Sequence, residues 1–275
     1  GLELIGPKMK QFAAEGIELA KGGELLIHCW RGGMRSNSMA WLFQTIGIRA
    51  STLTGGYKAY RRFVQESFNR PLNLVVIGGM TGSGKTAVIE ELERKGHQVI
   101  HLERLSSHKG SVFGGIGLPD QPTTEQFENL LSAELLKMDP DKPVYTEDES
   151  LAIGRIFIPR SFYMQMSSAR FVHLIVPVER RIQYLVEDYT SGNRDLLTAG
   201  IKRLERRLGP KNANLAIDLV NRGDMAKAVE IVLSYYDKIY TRSMSTHTRK
   251  QVIEIHVHKE NTTEISERIL CQRLN

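Results

Sequence analysis

Cysteine is nearly missing from this chain. Its 275 residues include only Cys29 and Cys271, which excludes a disulfide framework and a cysteine-rich zinc site. Long apolar runs are missing too. None approaches the roughly 18 residues needed to cross a bilayer, and residues 1–20 have neither the apolar stretch nor the cleavage site of a secretory signal. The expected location is cytoplasmic, with no membrane partner. There are no repeats or low-complexity tracts, so Gly, Pro and short apolar runs punctuate the chain. The seven histidines other than His28 show no ligand spacing beside a Cys or a carboxylate pair, so no metal cluster is expected.

What is present describes a globular protein. Hydrophobic residues make up 41% and charged residues 25%, enough apolar material for one large domain or two ordinary ones. The formal charge of +6 with pI near 9.3 leans basic. That balance suits a polyanionic partner without requiring one.

Strands are expected at 25–29, 51–53, 73–78, 98–102, 143–147, 170–176 and 252–257, each short and rich in β-branched residues. Helical periodicity fills the gaps at 8–20, 36–46, 84–95, 123–137, 178–188, 195–208 and 224–240. The alternation predicts an α/β protein with a parallel sheet flanked by helices. A boundary falls near Asn69-Arg70-Pro71, where a helix ends before a new strand. The expected domains are therefore 1–69 and 70–275.

In NLVVIGGMTGSGKT, the residues Gly79, Gly84, Lys85 and Thr86 fit G-x-x-x-x-G-K-[ST] between an apolar strand and a helix. There the glycines, Gly82 included, let backbone N–H groups curl round a phosphate at a helix N-terminus. Lys85 would reach the outer phosphate and Thr86 a Mg²⁺ ion. The pattern specifies a di- or triphosphate without specifying ATP. In PVYTEDES, Glu147, Asp148 and Glu149 are candidates for the acidic strand end that positions Mg²⁺. A solvated acidic turn is the alternative. Lys109 in SSHKGSVFGGIG and Arg160 in RIFIPRSF are further candidate anion contacts, in segments that could equally be plain surface connections.

HCWRGGMRS, at 28–36, satisfies the phosphatase pattern H-C-x-x-G-x-x-R-S. That geometry predicts that the N–H groups of residues 30–35 and the Arg35 guanidinium face the Cys29 sulfur and favour its thiolate. His28 is expected to order the loop. The same loop occurs in rhodanese-like domains, where the cysteine carries sulfur. A phosphatase also needs an aspartate general acid on a separate loop, and the segment before Cys29 offers no obvious one. TGGYKAYRRF after the loop resembles the closing turn and last helix of rhodaneses.

HCWRGGMRS, GGYKAYR, GGMTGSGKT, HKGSVFGGIG with QPTTEQFEN, EDES and GRIFIP occur in that order, and with them the chain resembles the tRNA 2-selenouridine synthase family along nearly its whole length. The resemblance implies a rhodanese-like domain joined to a P-loop domain. Residues 1–68 resemble only the second half of the former, so its first half is expected to be missing, leaving an exposed sheet edge. It also implies conversion of 2-thiouridine at position 34 of tRNA to 2-selenouridine through an S-geranylated intermediate. Geranyl diphosphate and selenophosphate are the implied substrates, and an enzyme supplying selenophosphate is an implied partner. Cys29 would hold selenium as a selenenyl sulfide, with Arg35 and the loop amides binding the anion. The P-loop would grip the diphosphate of geranyl diphosphate.

A tRNA partner calls for a basic surface. IKRLERRLGPK offers Lys202, Arg203, Arg206, Arg207 and Lys211, and RRIQYLVEDYTSGNRD is a weaker companion. A solvated helix face, with Glu205 among the cations, is the plainer alternative. Three functions stay open on sequence: selenium transfer with prenylation, a cysteine phosphatase or sulfurtransferase joined to a nucleotide-binding domain, and a non-catalytic P-loop module.

Overall fold

Short β-branched runs followed by amphipathic stretches fold here as parallel strands joined by helices. The computed structural model describes residues 2–190, 194–246, 249 and 251–272, in two units, 1–66 and 67–275. In the first, α1 (Leu2–Ile5), a 3-10 turn (Gly6–Lys8) and α2 (Met9–Ala20) precede β1 (Glu24–Ile27), α3 (Met34–Thr45), β2 (Arg49–Thr52) and α4 (Gly56–Ser67). β1 and β2 pair in parallel, Glu24 opposite Arg49 and Ile27 opposite Thr52. Ala40, Leu42, Phe43 and Ala50 form a small core. Gly16 on α2 makes room for it, since a Cβ there would lie 2.3 Å from the Phe43 ring. Among the described residues β1 pairs with β2 alone, and Leu26 on it is 67% exposed.

The second unit contains β3 (Leu74–Gly79), α5 (Lys85–Arg94), β4 (Gln98–Ile100), α6 (Leu102–Ser106), α7 (Thr124–Lys137), β5 (Val144–Glu147), and a hairpin of β6 (Ala152–Ile153) and β7 (Ile156–Phe157). There follow α8 (Arg160–Ser168), β8 (Arg170–Ile175), α9 (Val178–Thr190), α10 (Arg194–Leu208), α11 (Pro210–Arg222), α12 (Met225–Thr246), β9 (Gln251–His256) and α13 (Thr262–Cys271). The sheet order is β4-β5-β3-β8-β9, all parallel. Every residue of β3 is buried, as a central strand covered on both faces requires. The chain leaves β3 toward one edge and later returns on its other side, which opens a crevice at the carboxyl ends of the strands.

Val75 and Ile77 of β3, Val88 and Leu92 of α5, and Ile265 and Ile269 of α13 form one core. Each fully buried aliphatic side chain there contributes about 1.5–3 kcal/mol. A second core lies among α10, α11 and α12, with Leu197, Ile201, Leu204, Ala216 and Val220. Phe113, from the segment after α6, inserts into it over Gly200, where a Cβ would lie 2.7 Å from the ring. Helices α8, α11 and α13 were not expected from periodicity, and β1 ends at Ile27, leaving His28 and Cys29 beyond it.

Candidate active site

β3 ends at Gly79 and α5 starts at Lys85, with Gly84 as its N-cap residue. Gly82 (φ 81°) and Gly84 (φ 76°) occupy the left-handed region that glycine alone enters freely. Gly79 is required for space, because a Cβ would sit 2.5 Å from Ser83 Oγ and 2.9 Å from the Leu174 carbonyl oxygen. The turn thus delivers the loop to the positive end of a ten-residue helix. Lys85 Nζ donates to the Gly79 carbonyl at 2.9 Å, and the buried Ser83 Oγ has no hydrogen-bond partner among the described residues. From beneath, Arg181 forks onto Asp237 at 2.8 Å on both oxygens and donates to the Thr81 carbonyl at 3.2 Å, tying the loop to α9 and α12.

Thr86 Oγ1 donates to Glu103 Oε2 at 2.9 Å. Glu103, at the start of α6, is a site residue the sequence did not single out. Burial raises its pKa, and the charge of Glu147 adds to the rise. Burial, and then the charge of Glu103, push Glu149 well above the usual carboxylate range. The pair therefore resists carrying two full charges. Asp148 Oδ1 accepts from Arg249 Nη2 at 2.7 Å, and Arg249 lies 3.2 Å over the Phe171 ring.

No group of three or more acidic, His or Cys side chains among the described residues is arranged to hold a metal ion. Mg²⁺ needs less, since one or two carboxylates plus phosphate oxygens suffice. The oxygen donors Thr86, Glu103 and Glu149 beside the loop fit that requirement, and a bound cation would relieve the strain between the two carboxyls.

These groups line a cavity of about 340 Å³ that also takes in Lys109, Asp188, Tyr184 and Tyr240. Lys109 lines this cavity, its ammonium held at 2.7 and 2.8 Å by Asp188. Its loop is no loose connection, for the Val112 N–H donates to Tyr236 Oη at 2.9 Å and Phe113 is buried. Glu147 must be withdrawn as a Mg²⁺ candidate. It is fully buried away from the cavity, where Oε2 accepts the Leu102 N–H at 2.8 Å and Oε1 lies 3.6 Å from His101 Nδ1. Arg160 is withdrawn as an anion contact here, because it is exposed in the first turn of α8 and does not line the cavity.

An apolar cleft of about 40 Å³ adjoins the phosphate cavity and shares Thr81, Leu185 and Tyr236 with it. Ile201, Val229 and Leu233 contribute to its wall.

Of the basic candidates, Lys202 pairs with Glu205 at 2.9 Å, while Arg203, Arg206 and Lys211 are exposed. Arg207 lines a third cavity beside the phosphate loop. Residues 191–193 of the second basic stretch lie outside the described residues.

In the first unit, Cys29 lies at the N-terminal end of α3. Its sulfur accepts the Gly33 N–H at 3.3 Å and lies 3.4 Å from Ser36 Oγ, which itself donates to the Gly33 carbonyl at 3.0 Å. The contact with Ser36, then the N–H of Gly33, lower the thiol pKa to about 6. Ser36 is the partner that the sequence reading did not assign. Arg35 is exposed and is not among the groups bonded to the sulfur, contrary to expectation. Gly55-Gly56 supports the loop from behind, with the N–H groups of Tyr57 and Lys58 donating to the Cys29 and Trp30 carbonyls at 2.9 Å each. A Cβ on Gly56 would fall 2.2 Å from the Cys29 carbonyl oxygen, so only glycine lets the two turns meet. His28 stacks on Tyr57 with centroids 5.6 Å apart.

Alkylation of Cys29 by iodoacetamide is expected to follow the thiolate, reaching half its plateau rate near pH 6. Ser36→Ala removes the largest lowering contact and should move that midpoint upward. An unshifted midpoint in the variant would count against Ser36 as the cause.

A family model described as the tRNA 2-selenouridine synthase AAA domain matches residues 72–205. The tRNA 2-selenouridine synthase of Nitrosomonas europaea is 37% identical over 188 residues, 66% of this chain and 46% of that protein. That of Shewanella frigidimarina is 30% identical over 277 aligned positions, 87% of this chain and 74% of that protein. That of Alcanivorax borkumensis is 39% identical over 206, 66% of this chain and 55% of that protein. The chain thus spans between about half and three-quarters of the length of the curated relatives it matches.

Proposed function

The chain belongs to the tRNA 2-selenouridine synthase family, and from that premise we propose that it converts 2-thiouridine at the wobble position of tRNA to 2-selenouridine through an S-geranyl intermediate. Geranyl diphosphate is the prenyl donor and selenophosphate the selenium donor. The P-loop unit grips the diphosphate with the loop amides, Lys85 and Lys109, and Mg²⁺ would be held by Thr86, Glu103 and Glu149 with the phosphate oxygens. Bound Mg²⁺ would supply charge neutralisation of the leaving diphosphate. The first unit is the rhodanese-like part, and its Cys29 thiolate serves the selenation step, in which selenophosphate selenium bonds to C2 of the base as the geranylthio group leaves as the thiol and water then releases phosphate. Arg203, Arg206 and Lys211 would meet the tRNA backbone.

One observation carries the donor assignment. The phosphate cavity and an apolar cleft lie side by side, sharing Thr81, Leu185 and Tyr236 in their walls. A diphosphate bearing an apolar chain needs that pair of environments side by side, whereas the ribose of a nucleotide gains nothing from the second. The cleft is narrow, and a prenyl chain would enter by widening it between α9, α10 and α12.

Calorimetric titration separates the donors. Geranyl diphosphate is expected to bind more tightly than inorganic pyrophosphate, by the apolar surface its chain buries. Equal affinities, or a preference for ATP over both, would contradict the assignment.

A further inference from the structure

Three cavities adjoin at shared lining residues. The phosphate cavity, the apolar cleft and a third cavity of about 300 Å³ are all lined by Thr81 and Tyr236. If the diphosphate occupies the first and the prenyl chain the second, the carbon joining them lies at that junction. A nucleophile attacking this carbon must reach the same junction, and the third cavity has those residues in its wall.

The lining of the third cavity says what kind of nucleophile fits. α12 contributes Tyr235, Tyr236, Ile239 and Tyr240, and α10 contributes Arg207. Tyr236 is fixed by the Val112 N–H at 2.9 Å, and Arg207 Nη1 donates to Tyr235 Oη at 3.4 Å. Tyr240 Oη is buried without a hydrogen-bond partner among the described residues. Asp148, Glu149 and Ser150 supply polar groups on another side. Aromatic faces, an arginine and a few polar groups are what an unstacked base of single-stranded RNA requires.

We propose that this third cavity is the acceptor pocket, holding a flipped-out thiolated uracil with its sulfur at the junction beside Thr81. The proposal rests on the prenyl diphosphate reading of the P-loop. In the step it serves, the thiocarbonyl sulfur forms a bond to the allylic carbon as the carbon–oxygen bond breaks. The bonding pair leaves on the diphosphate and the uracil N3 proton passes to water. Arg207 and Tyr240 are binding residues in this step, and Arg207 does not line the phosphate cavity.

The test uses the full chain, a synthetic anticodon stem-loop carrying 2-thiouridine, geranyl diphosphate, and inorganic pyrophosphate as a separate probe. Arg207→Ala and Tyr240→Ala are each expected to raise the KM for the stem-loop about tenfold or more, the scale of one lost stacking contact, with pyrophosphate affinity unchanged in Arg207→Ala. Tyr240→Phe keeps the ring and should recover most of the loss. An unchanged KM in Arg207→Ala, which lies on the surface of α10 and leaves the core intact, would overturn the pocket while leaving the prenyl diphosphate reading standing. Failure of the unaltered chain to bind pyrophosphate would overturn that reading and the pocket with it.

Discussion

Lys85→Ala should lower geranyl transfer to 2-thiouridine tRNA by about two to three orders of magnitude, with the fold and the Cys29 chemistry intact. Lys85 Nζ lies 2.9 Å from the Gly79 carbonyl, folded over the loop. A diphosphate entering the cradle offers it a charged acceptor in place of that neutral one, and charge-assisted bonds are about twice as strong. As the carbon–oxygen bond breaks, the diphosphate gains negative charge, so the contact strengthens toward the transition state and its loss falls on kcat. Single-turnover formation of S-geranyl-2-thiouridine, followed by mass spectrometry, reads this directly. Full activity in the variant would remove the P-loop from the reaction.

The second large effect is at Cys29. Cys29→Ser should abolish selenium incorporation, a loss of several orders of magnitude as when a nucleophile is removed, while geranylation continues and the S-geranyl product accumulates. The cysteine is mostly thiolate above pH 6, because Ser36 and the Gly33 N–H stabilise the charge at the helix end. A serine hydroxyl at the same place stays protonated and supplies no anionic sulfur to the step. Measuring both modified nucleosides from one reaction separates the two steps. Persistent selenation by the serine variant would exclude Cys29 from the selenation step.

The two loops were legible in the sequence because their chemistry is local. G-x-x-x-x-G-K-T and H-C-x-x-G-x-x-R-S each place backbone amides and a helix start within nine residues. What was not legible comes from the sheet order. Glu103 meets Thr86 because β4 lies outside β5, a placement no spacing of 17 residues announces. Arg249 meets Asp148 across 101 residues for a similar reason. Glu147 was misread because it shares an acidic run with Asp148 and Glu149, yet as the last residue of β5 it is buried against Leu102.

The apolar cleft was invisible for another reason. Periodicity shows that α9, α10 and α12 each have an apolar stripe, but not which stripes leave a gap. Two of the unexpected helices did carry their signals. α11 begins with Pro210 after Gly209, and α13 has a capping box of Asn261 and Glu264. Short length and interspersed Asn and Thr hid them from a periodicity count.

The proposed conversion of 2-thiouridine into 2-selenouridine through a geranylated intermediate leaves its products in the tRNA itself. The direct measurement is to express the chain in a strain lacking its own 2-selenouridine synthase and quantify both modified nucleosides in tRNA hydrolysates by mass spectrometry. The expected result is S-geranyl-2-thiouridine that depends on Lys85 and 2-selenouridine that depends on Cys29 as well. tRNA still carrying only 2-thiouridine, with neither product above the level of the empty strain, would contradict it.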